Sequence, residues 1–159
     1  MIPTYSIKNA LQSTDRYKLF VLWVKPGELS EAIADLQNED IQVVNLGKEL
    51  AAFVENLEDD PFLHFEVHDY TSRWLEKPSP SRDGSAKRAV AIYNIGILME
   101  PRLEMNAAAF LKDLSKTNVV IILWEYPPME PERLHWPVQQ DTIFLDFSDA
   151  LLKNLEYAV

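Results

Sequence analysis

The chain has 159 residues, enough for one domain with a sizeable core. Hydrophobic residues make up 47% and charged residues 25%, a balance that fits an ordinary soluble globular protein. Fifteen Lys and Arg against 25 Asp and Glu give a formal charge of −10, a field that repels phosphate backbones and argues against direct nucleic-acid binding. There is no cysteine, so disulfides and thiolate chemistry are excluded. No apolar run approaches the roughly 18 residues of a membrane span. The first residues lack the basic start and apolar core of a signal peptide. The expected location is the cytoplasm, without a membrane partner.

In chain order, Ile7, Ala10 and Leu11 suit one face of a short leading helix. Residues 18–24 (KLFVLWV) read as a central strand covered on both faces. Pro26-Gly27 is a turn signal, and Leu29, Ala32, Ile33 and Leu36 follow at helical spacing. Residues 41–46 (IQVVNL) form a second strand, and Leu50, Phe53, Val54 and Leu57 an amphipathic helix. Leu63, Val67, Tyr70 and Trp74 repeat the helical spacing after Asp59-Asp60-Pro61. Residues 77–87 (KPSPSRDGSAK) are expected to be an exposed, flexible loop, too short to divide the chain into two domains. The third strand is expected at 89–93, a helix at 106–114, and the fourth and strongest strand at 119–124 (VVIILW). A Pro-rich loop follows at 125–137, then a fifth strand at 142–146 and a last helix carrying Leu151, Leu152 and Leu155. Alternating strands and helices predict a single α/β domain over residues 1–159. Its architecture is expected to be three-layered, with a mostly parallel five-stranded sheet and helices on both faces.

Few residues fit a known chemistry. A phosphate loop needs glycines, so that backbone N–H groups converge, and a Lys for the terminal phosphates. After the first strand the chain offers Lys25, Pro26 and Gly27, then Glu28, with no G-x-x-x-x-G-K-S/T. An ordinary strand-to-helix turn is the favoured reading there. The third strand ends in Tyr93 and Asn94, where a nucleotide-hydrolysing protein carries a Mg²⁺-binding acid. Glu125 and Asp146 follow strands four and five, the edge where open α/β sheets bind ligands. Lys25, Pro26, Gly27, Asn94 and Glu125 are therefore the residues of a vestigial nucleotide site; ATP and Mg²⁺ are disfavoured and no cofactor is expected. His64 and His68 lie four apart, but Phe65 stands where a metalloprotease has its Glu, so no metal site is assigned. The segment after strand four is dense in aromatics and prolines. Tyr126, Pro127, Pro128, Leu134 and Trp136 are its candidate partner interface, with equal weight on the alternative that the segment folds back to cover the sheet end.

Three stretches in order, YKLFVLWVKPG (17–27), AVAIYNIGILMEP (89–101) and LSKTNVVIILW (114–124), resemble the small P-loop-fold accessory proteins of bacterial BREX anti-phage systems. The resemblance implies a P-loop-like topology, with residues 17–27 leading to the phosphate loop and residues 89–101 as the acid-bearing strand. The departures fall where the chemistry would be carried: the Gly-Lys-Ser/Thr is missing, Tyr93 replaces the strand acid, and Gly96 stands where the family has Glu. The expectation is a degenerate, non-catalytic binding or adaptor subunit of a defence complex with protein partners. Two alternatives stand beside it: an active NTP-binding enzyme with an atypical phosphate loop, and a regulatory domain binding a small ligand.

Overall fold

Seven consecutive residues, Asn118–Trp124, are all buried. A strand this apolar needs neighbours on both edges and cover on both faces. The structure, a computed structural model, supplies both. It describes residues 4–55, 66, 67, 69, 70, 73, 88–99, 103, 106–126, 133–135, 144–147 and 153–155. The elements are α1 (Thr4–Leu11), β1 (Leu19–Trp23), α2 (Leu29–Asn38), β2 (Gln42–Asn45), α3 (Leu46–Glu55) and β3 (Arg88–Tyr93). A 3-10 helix (Ile95–Met99), α4 (Ala107–Thr117) and β4 (Asn118–Trp124) follow, then β5 (Arg133–His135), β6 (Phe144–Asp146) and β7 (Lys153–Asn154).

Four strands lie parallel in the order β2-β3-β4-β1, giving an α/β fold. β4 is interior, with Ile121 facing Phe20 across one edge and Ala91 across the other. Side chains alternate between two apolar clusters, as the two-residue period of a strand demands. Leu19, Val21, Val90, Ile92, Val120 and Ile122 enter one cluster with Leu46 and Leu50 of α3, Ile95 and Leu98 of the 3-10 helix, and Phe110, Leu111 and Leu114 of α4. Phe20, Leu22, Ala91, Val119, Ile121 and Leu123 enter the other with Ile7 and Ala10 of α1, and Ala32 and Leu36 of α2. Each large side chain so buried contributes about 1.5–3 kcal/mol.

Helix ends follow local chemistry. Asn106 caps α4, its Oδ1 accepting from the Ala109 N–H at 3.0 Å. α2 ends in a Schellman arrangement: the Ile41 N–H donates to the Leu36 carbonyl at 3.1 Å and the Asp40 N–H to the Gln37 carbonyl at 3.0 Å. Asp40 takes the left-handed conformation, φ 60°, that this cap requires. Leu36 and Ile41 belong to the same cluster, so the cap also aims the chain into β2.

Two expectations are corrected. The segment expected as a fifth strand of the main sheet, residues 142–146, contributes β6, which pairs antiparallel with β5 in a separate two-stranded sheet. Its apolar positions close the end of the first cluster, where Leu134, Leu145 and Phe147 are buried. The last helix was expected to include Leu155. Residues 153 and 154 are instead extended and lie parallel to β1, and the Leu155 N–H donates to the Val21 carbonyl at 2.7 Å. The outer edge of β1 offers unpaired backbone groups, and satisfying them outweighs local helix propensity. The helix expected around Leu63 to Trp74 is helical at residues 66, 67, 69, 70 and 73; Val67 is buried and Tyr70 stacks on Phe53 of α3, with ring centroids 4.2 Å apart. The loop at 77–87 lies outside the described residues.

Candidate functional site: the carboxyl edge of the sheet

The connections leaving β1 and β4 diverge. β1 leads to α2, whose buried residues join the second cluster; β4 leads to β5 and β6, whose Leu134 and Leu145 join the first. β1 and β4 are neighbours, so their carboxyl ends flank the point at which chain direction switches faces. In open α/β sheets the ligand crevice lies there. The residues at this point are Lys25 to Glu28 after β1 and Glu125 and Tyr126 after β4. The Val24 N–H donates to the Trp124 carbonyl at 2.9 Å, which holds the two chain exits side by side.

The exit from β1 is a tight turn. The Glu28 N–H donates to the Lys25 carbonyl at 3.0 Å, Pro26 occupies the second position and Gly27 the third with φ +89°. These are the features of a type II turn, whose third position favours glycine. Within the turn itself the Glu28 N–H is engaged by the Lys25 carbonyl and Pro26 has no N–H. A phosphate-binding nest requires successive N–H groups to converge.

Glu28 then occupies the N-cap of α2 without making a side-chain capping bond. Its Oε2 is buried and has no hydrogen-bond partner among the described residues. A carboxylate at a helix N-terminus is favoured by the helix dipole. It also places negative charge where a nucleotide phosphate would approach the helix end.

Asn94 is brought to the same edge but given other work. It follows β3, and β4 separates β3 from β1, so Asn94 lies about two strand spacings, roughly 10 Å, from the Lys25 turn. Its backbone is left-handed, φ 56°. Its Nδ2 donates to Asn45 Oδ1 at 3.0 Å, and the same oxygen accepts the Lys48 N–H at 3.0 Å, capping α3. Gly47 makes room for this contact: a Cβ there would lie 2.7 Å from Asn94 Cγ and 2.9 Å from its carbonyl oxygen. Tyr93, at the end of β3, is partly buried against the second cluster.

Of the five candidate interface residues, Pro127, Pro128 and Trp136 lie outside the described residues. Tyr126 is 38% exposed, its ring set edge-on to Trp124 with centroids 5.4 Å apart. Leu134 is corrected: it has 0% exposure and belongs to the core cluster, so its side chain is not available to a partner. It sits on β5, whose strand pairing turns it inward opposite Leu145. Three framework residues carry no role in the sequence reading: Asn45, which caps α3; Asn118, whose Nδ2 donates to the Leu114 carbonyl; and Lys18, whose ammonium donates to the Lys116 carbonyl at the end of α4. Asn at a strand-to-helix junction is a legible signal for the first; the pairing of Lys18 with a distant helix end has none.

Among the described residues there is no group of three or more His, Cys, Asp or Glu able to hold a metal ion, and no helix long and apolar enough to cross a membrane. His64 and His68 lie outside the described residues. No protein-family model, curated protein or solved structure matches the chain.

Proposed function

We propose that this chain is a three-layer α/β domain of P-loop-like topology that has lost nucleotide chemistry and serves as a binding or adaptor subunit, with protein partners, in a bacterial anti-phage defence complex. The observation that carries the non-catalytic part is the turn after β1. A phosphate loop wraps an anion with free N–H groups; here a type II turn engages the Glu28 N–H and sets the Glu28 carboxylate at the helix end. The absence of an acid at the end of β3 agrees with it, since Tyr93 and Asn94 stand there. The position of β4 between β1 and β3, with helical side chains buried against each sheet face, is compatible with the P-loop-like topology. The setting in a defence complex rests on the resemblance of residues 17–27, 89–101 and 114–124. The acidic charge of −10 favours contact with any DNA through a partner.

The decisive test is thermal unfolding with millimolar ATP, ADP or GTP and Mg²⁺. Saturation at about 100 times Kd would stabilise a binding protein by about 2.7 kcal/mol, several degrees in Tm. The expected result is an unchanged Tm. A clear shift that is lost in Lys25→Ala would replace this proposal with an active NTP-binding enzyme using Lys25, Asn94 and Glu125. Co-purification from the native host tests the adaptor role separately: a near-stoichiometric protein partner is expected, and recovery of the chain alone would count against it.

A further inference from the structure

We draw no further inference here: the strongest candidate, the open groove of about 610 Å³ between α1, the loop leading to β1 and the β7 edge, is lined mainly by hydroxyl and amide side chains that select no ligand chemistry, and nothing in the structure shows what covers it.

Discussion

Lys18 precedes β1 with only 6% of its surface exposed, and its ammonium group donates to the carbonyls of Lys116 at 2.7 Å and Asp15 at 3.3 Å. The Lys116 carbonyl belongs to the last turn of α4, where orphan acceptors and the negative end of the helix dipole favour a cation. The backbone of Lys18 joins the same junction, accepting from the Val120 N–H and donating to the Ser115 carbonyl. Asn118 completes it by donating from Nδ2 to the Leu114 carbonyl at 3.2 Å. Lys18→Met keeps the aliphatic stem and removes the charge-assisted bonds, so unfolding should cost about 2 kcal/mol less, roughly 4–8 °C in Tm. A Tm equal to that of the parent protein would show that the ammonium contributes nothing net. Gly47 makes a second residue-scale case. In an open helix Gly→Ala stabilises by up to about 1 kcal/mol. Here the added Cβ meets both the side chain and the carbonyl of Asn94, so Gly47→Ala should lower Tm. A rise would mean that the Asn45–Asn94 contact yields without cost.

At the scale of elements, β7 is the piece whose stability is least local. Two residues cannot hold a strand conformation alone; they are fixed by β1 through Phe20 and Val21 and by the burial of Leu155 in the second cluster. Leu155→Ala should therefore cost about 2–3 kcal/mol, the loss expected for a buried leucine, in a denaturant melt. A loss below about 0.5 kcal/mol would mean that the segment does not close the edge of β1. The β5–β6 pair is held differently. The ion pair between Arg133 Nε and Asp146 Oδ2, 3.4 Å apart with both side chains 40% exposed, contributes little. Leu134, Leu145 and Phe147, all buried, supply the holding energy.

Considered as a whole molecule, the domain presents its switch point, its tight turn and an exposed Tyr126 on one edge, while its net charge is −10. If partner binding uses this edge, Tyr126→Ala should weaken the captured complex by more than about 2 kcal/mol. Its own fold should lose no more than the roughly 0.5–1.5 kcal/mol of the ring contact with Trp124. Unchanged affinity would remove Tyr126 from the interface and shift attention to other surfaces.

The sequence by itself determined the four parallel strands and the helices between them, because apolar runs such as VVIILW and spacings such as Leu29, Ala32, Leu36 are set by local periodicity. It also determined the absence of a phosphate-loop motif, which is a matter of residue identity. Only the tertiary structure decided strand order, the antiparallel pairing of β5 with β6 and the extended fate of residues 153 and 154, since each depends on which distant edge has unsatisfied backbone groups. The same reason divides the candidate site. Lys25 and Glu125 follow the neighbouring strands β1 and β4, whereas Leu134 is turned inward and Asn94 is bound to Asn45 through contacts that no local pattern records.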